Sequence, residues 1–196
     1  MKRILFVCTG NTCRSPMAEA LLREQAAKRG ITVAVRSAGV STIDGLPISS
    51  NALETLRRRE IAHGGSSRAL TAEAVGWADL ILTMTSGHKR DLLHYHPGAV
   101  DKTYTLKEFA NSDLAVLKNI EELESLYSDM QMKGALGQHL TSAERLRLLE
   151  LERRIPSFDI ADPFGGSSSV YESCSREIEE AVRRLLDKLS GRRGND

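Results

Sequence analysis

Residues 4–20 read ILFVCTGNTCRSPMAEA. An unbroken apolar run, Ile4–Val7, is followed by a short polar loop and then by a helix-forming stretch. The run has the composition of a buried strand, which Cys8 ends. Ser15 offers a side-chain N-cap, and Pro16 suits the first helical position, where a missing N–H costs nothing. Strand, loop and helix in this order form the first half of a βαβ unit, which makes the chain α/β.

The pattern continues outward. Val33–Arg36, Leu80–Met84 and Thr103–Leu106 read as further strands. Pro16–Arg29, Ile48–Arg59, Ala72–Trp77 and Gly87–His94 read as helices between them. The alternation predicts a small parallel sheet of about four strands with helices on both faces. Tyr171–Leu189 carries Ile178, Val182, Leu185, Leu186 and Leu189 on one stripe, an amphipathic helix that covers the sheet. Between Phe109 and Pro156 no strand is evident. Leu117, Ile120, Leu123 (or Glu124), Tyr127 and Met130 recur at helical spacing. Thr141 and Glu144 form a capping box, and Leu148, Leu151 and Ile155 continue an apolar stripe. The segment near 110–157 therefore reads as a helical hairpin insertion in one domain, 1–190, with a polar tail at 191–196. It either closes its apolar faces on the domain or serves as a docking surface for a protein partner.

Composition narrows the function. The chain has 196 residues, 41% hydrophobic and 27% charged, with a net charge of +1. Neither nucleic acid nor an anionic membrane is expected as a partner. No apolar run approaches the ~20 residues of a membrane span. Met1–Gly10 is basic and then apolar, but Asn11 and Arg14 follow too soon for a signal peptide. The three cysteines, Cys8, Cys13 and Cys174, have no disulfide-framework spacing, which points to a reducing, cytoplasmic setting. His94 and His96 read as surface residues, so no metal and no cofactor is expected. Arg57–Arg59 and the charged alternation from Arg145 to Arg154 read as solvated faces, and Trp77 as core.

The loop Thr9–Arg14 carries the chemistry. It must aim its backbone N–H groups inward, and such a concave set at a helix N-terminus binds anions. Gly10 permits a left-handed or otherwise strained backbone there. Arg14 adds a planar fork of donors matched to two phosphate oxygens. Cys8 lies at the centre, where the helix dipole, the N–H groups and Arg14 all favour its thiolate. The features that bind a tetrahedral anion thus also ionise a nucleophile that attacks it.

VCTGNTCRSP resembles the phosphate loop V-C-x-G-N-x-C-R-S-P of the low-molecular-weight phosphotyrosine phosphatase family. Ser37-Ala38-Gly39, Asp79–Met84 and Asp162-Pro163-Phe164 resemble that family's second-strand, third-strand and acid-loop signatures. The resemblance implies roles for the matched residues. Cys8 attacks phosphorus and forms a phosphocysteine. Arg14 and the N–H groups of Thr9, Gly10, Asn11, Thr12 and Cys13 hold the phosphoryl oxygens. Asp162 protonates the leaving atom and then activates water. Asn11 shapes the loop, and Ser15 stabilises the thiolate. One departure concerns the histidine that braces this loop in many relatives: Gly65 stands at that place, with His63 two residues earlier.

Thr12 bears on the substrate. Tyrosine-specific relatives commonly carry an aliphatic residue there, whereas the bacterial protein arginine phosphatases, which this chain resembles throughout, carry threonine. A guanidinium wants acceptors, which Thr12 and Asp162 offer, and Phe164 can stack on its plane. The chain is therefore read as a phosphatase of phosphoarginine in proteins, with phosphotyrosine as the alternative. An arsenate reductase would need two further downstream cysteines, yet none lies between Cys13 and Cys174. A non-catalytic phosphoprotein-binding module would have no use for Cys8, Arg14 and Asp162 together.

Overall fold

A computed structural model describes residues 1–191, so the tail from 192 onward lies outside the described residues. The chain forms two compact units, residues 1–110 with 158–191, and residues 111–157.

The first unit is built on a parallel sheet. Its strands are β1 (Lys2–Cys8), β2 (Val33–Gly39), β3 (Leu80–Thr83) and β4 (Thr103–Thr105), in spatial order β2-β1-β3-β4. β1 is central: Ile4 pairs with Val35 on one side and Leu80 on the other. Its side chains alternate between faces, as a strand requires. Ile4, Phe6 and Cys8 enter one apolar cluster with Leu80 and Leu82. Leu5 and Val7 enter the opposite one with Ile81.

Helices cover both faces. α1 (Arg14–Lys28), α2 (Ser50–Arg57), α5 (Leu106–Ala110) and α8 (Ser168–Leu189) supply Met17, Leu21, Leu56, Leu106, Ile178 and Leu186 to the first cluster. α3 (Ala72–Trp77) and α4 (Ser86–Tyr95) supply Val75 and Leu92 to the second. The four strands and the two-faced cover agree with the sequence reading. Trp77 differs from it: the ring is half-buried, with the Arg36 guanidinium 4.2 Å above its centre. Arg59 is not a solvated residue either. It is largely buried and bridges Glu172 and Glu179 of α8.

The N-terminus of α1 also differs. Arg14 is the first helical residue and Cys13 the N-cap, with no side-chain cap bond. Ser15 therefore lies inside the helix, its hydroxyl free for another task. Pro16 is tolerated because the first turn has no carbonyl for its N–H to meet.

The second unit pairs α6 (Leu114–Ala135) with α7 (Ser142–Arg154). Asp113 caps α6 through the N–H groups of Ala115 and Val116. Thr141 and Glu144 form a reciprocal capping box at the start of α7. Arg147 reaches Glu122 at 2.6 Å, and Lys133 reaches Glu144 at the same distance, which sets the helices antiparallel. Leu114, Met132, Leu136 and Leu146 stay exposed. Among the described residues no helix is long and apolar enough to cross a membrane.

Candidate active site

The site lies beyond the carboxyl end of β1. The chain leaves β1 toward β2 on one side and β3 on the other, so the loop after Cys8 occupies a switch point where such sheets bind ligands. Neighbouring backbone fixes its orientation. Val40 N donates to Cys8 O at 2.9 Å, Ser41 N to Thr9 O at 3.0 Å, and Ser49 N to Thr12 O at 2.9 Å. With its carbonyls drawn outward, the loop turns N–H groups inward. Gly39 permits the approach: a Cβ there would stand 2.5 Å from Thr9 O, closer than any real contact.

The left-handed residue is Asn11, with φ of 52°, and not Gly10. Asparagine tolerates that region better than most residues. Its side chain is fully engaged: Nδ2 donates to Ser15 Oγ (2.8 Å) and Ser37 Oγ (2.9 Å), and Oδ1 accepts from Arg68 N (2.8 Å). Ser37 in turn donates to Glu19 at 2.6 Å. These partners brace the loop. His63 is half-buried, its Nδ1 without a partner among the described residues, and burial holds its imidazole pKa below the usual value.

Cys8 is buried, at 3% exposure. Asn11 N donates to its sulfur at 3.2 Å, and Ser15 Oγ lies 2.9 Å away. Since Ser15 Oγ already accepts from Asn11, its own hydrogen is available to the sulfur. Both groups aim a hydrogen at the sulfur. Cys13, five residues on, is also buried, with Sγ 3.2 Å from the Tyr171 hydroxyl. Tyr171 OH accepts from Ser49 Oγ at 3.0 Å.

Arg14 is buried, while its neighbour Asp162 is half-exposed. Arg14 Nη1 donates to Ile160 O at 3.1 Å, and Nη2 stands 3.1 Å from Asp162 Oδ2. Ile160 N donates to Met84 O, just past β3, so the segment carrying Asp162 is pinned to the sheet. Asp162 Oδ1 accepts from Phe164 N at 3.2 Å, a local turn that orients the carboxylate. Thr12 and Phe164 both line an open cleft of about 860 Å³ with Ile43, Leu46, Pro47 and Ser50. None of the lining residues is charged.

The structure thus gathers Cys8, Thr9, Gly10, Asn11, Thr12, Cys13, Arg14, Ser15, Asp162 and Phe164 in one place. It adds residues the sequence did not single out for the site: Ser37, Glu19, Tyr171 and His88. The last of these approaches Thr9 Oγ1 at 2.8 Å. Ser37 belongs to a stretch with a family likeness, but Tyr171 and His88 carry no such signal, since their partners lie far away along the chain. Among the described residues no group of three or more His, Cys, Asp or Glu could hold a metal ion.

Comparisons with known proteins agree with this geometry. The family model for low molecular weight phosphotyrosine protein phosphatase matches residues 3–124. A protein-arginine-phosphatase of Geobacillus stearothermophilus is 37% identical over 187 residues, covering 95% of both chains. One from Bacillus subtilis is 35% identical over 186 residues, again 95% of each. A solved structure of the arginine phosphatase YwlE superposes with a TM-score of 0.72 at 34% identity, over 97% of each chain. It is described as a cysteine-to-serine mutant with a phosphorylated active-site serine.

Proposed function

The chain belongs to the low molecular weight phosphotyrosine protein phosphatase family, and we propose that within it the chain hydrolyses phosphoarginine in proteins through a phosphocysteine intermediate. The observation that carries this reading is the meeting of a donor-ringed thiol, a buried arginine and a carboxylate beside a cleft faced by Thr12 and Phe164.

The steps follow from the groups present. The phosphoryl group enters the loop, where the inward N–H groups and Arg14 take its oxygens. Cys8 Sγ attacks phosphorus as the P–N bond breaks. Asp162, in its acid form, gives its proton to the departing guanidine nitrogen. Asp162 then accepts a proton from the water that attacks the phosphocysteine, and phosphate leaves as the thiolate returns. Ser15 and the Asn11 N–H stabilise that thiolate as leaving group. The developing charge is met by donors already fixed in place, so little reorganisation is needed.

Substrate choice rests on Thr12. Its hydroxyl and the Asp162 carboxylate offer acceptors to a guanidinium, and the 78%-exposed Phe164 ring offers a face for stacking. A phosphotyrosine reading is favoured by the apolar part of the cleft, Ile43, Leu46 and Pro47. Comparing kcat/KM on one peptide carrying either modification decides between them. Phosphorylated proteins are the partners implied, and the free, buried thiols suit a reducing, cytoplasmic compartment. The exposed Leu114, Met132, Leu136 and Leu146 support a second role for 111–157, as a surface that meets a protein partner.

A further inference from the structure

His88 lies 79 positions from Thr9 in the chain, yet its Nε2 sits 2.8 Å from Thr9 Oγ1. The residue is only 6% exposed. Its own N–H donates to the capping Thr85 Oγ1 at 3.1 Å, so backbone and ring are both fixed at the N-terminus of α4. Ring Nδ1 is buried with no partner among the described residues.

That orphan assigns the proton. Buried N–H groups left without an acceptor are rarer than buried acceptors left without a donor. The proton therefore belongs on Nε2, which donates to Thr9 Oγ1. Arg14 of α1, Asp91 of α4 itself, and Asp159 and Asp162 of the segment before α8 are the charged groups that act on the ring. Burial, then Arg14, push its pKa below the usual histidine value, against the pull of the three carboxylates.

Thr9 follows the thiol directly, and its N–H opens the anion-binding set. The loop's other side chains have different anchors: Asn11 is held by Ser15, Ser37 and Arg68, and Cys13 by Tyr171. The same turn of α4 also holds the acid segment, since Ser86 N donates to Asp159 Oδ1 at 2.7 Å.

We propose that His88, as the neutral Nε2–H tautomer, is a positioning residue of the phosphatase reaction: it fixes Thr9 and so the start of the anion-binding loop. The first turn of α4 thereby ties the nucleophile loop to the segment that carries Asp162. The inference rests on Cys8 and its loop being the reacting site.

The test uses p-nitrophenyl phosphate as substrate and inorganic phosphate as inhibitor, so the identity of the natural substrate does not enter. His88→Leu and Thr9→Val should each lower kcat/KM about fivefold and weaken phosphate inhibition by the same factor, the worth of one neutral hydrogen bond. The double variant should be no worse than either single one. His88→Gln, which keeps an N–H at similar reach, should recover most of the loss. Additive losses, or a His88→Leu enzyme whose kcat falls while phosphate inhibition is unchanged, would overturn the proposal. Should His88→Leu fail to fold, nitrogen NMR of the unmodified protein decides. A neutral Nε2–H ring at pH 8 is expected, and an Nδ1–H ring there contradicts it. Failure of the underlying site is separate, since it would show as turnover by Cys8→Ser.

Discussion

Arg14 Nη2 and Asp162 Oδ2 stand 3.1 Å apart, so the carboxylate proposed as general acid leans on the guanidinium proposed to receive the phosphate. Asp162→Asn should therefore bind inorganic phosphate at least as well as the unmodified protein, having lost a carboxylate beside the anion. Its kcat should fall by about 10²-fold or more for substrates with poor leaving groups, and much less for p-nitrophenyl phosphate. A uniform loss across leaving groups would remove Asp162 from the acid role.

Thr12 faces the cleft shared with Phe164. Thr12→Ile keeps the branched shape and removes the hydroxyl. Activity toward a phosphoarginine peptide should drop by roughly tenfold or more, as one polar contact of about 1–2 kcal/mol is lost. Activity toward the phosphotyrosine peptide should rise by a smaller factor. An unchanged ratio would show that Thr12 does not read the substrate.

Cys8 and Cys13 flank one tight loop, and Cys13 is held by the Tyr171 hydroxyl at 3.2 Å. Mild peroxide should inactivate the enzyme by joining the two sulfurs, with activity restored by a thiol reductant. Tyr171→Phe releases Cys13 from that contact and should speed the joining. Peptide mass spectrometry showing only sulfonic acid on Cys8, with Cys13 free, contradicts this course.

Cys174 behaves differently. Burial pushes its thiol up to about 12 from an ordinary 9.0. It should resist iodoacetamide at pH 8 in the folded protein. The linkage has a definite sign: the fold favours the neutral thiol, so its contribution to stability is whole below about pH 9 and fades as pH rises toward 12. Denaturant unfolding of Cys174→Ala should show a shallower alkaline loss than the unmodified protein.

What the sequence made legible was the contiguous chemistry. Cys8 through Ser15 could be read as an anion loop because strand, loop and helix are adjacent and each residue type has a local reason. The helix starts two residues before the place the capping rule gives it, because Ser15 satisfies that rule and yet its hydroxyl serves Cys8 at 2.9 Å. Gly10 and Asn11 both tolerate a left-handed backbone, and only the bonds to Ser37 and Arg68 decide that Asn11 adopts it. His88 and Tyr171 were invisible as site residues, because their contacts to Thr9 and Cys13 exist only once α4 and α8 have packed. Arg59 read as solvated because its partners, Glu172 and Glu179, lie on a helix far along the chain.

The most direct test of the account is a rapid acid quench of the enzyme turning over an excess of a phosphoarginine peptide, followed by mass spectrometry of its own peptides. The account predicts a phosphoryl group on the peptide containing Cys8, formed as unmodified arginine peptide appears and lost again once the substrate is exhausted. A phosphoryl group on another residue, or one that forms with a phosphotyrosine peptide but not with the phosphoarginine peptide, would contradict it.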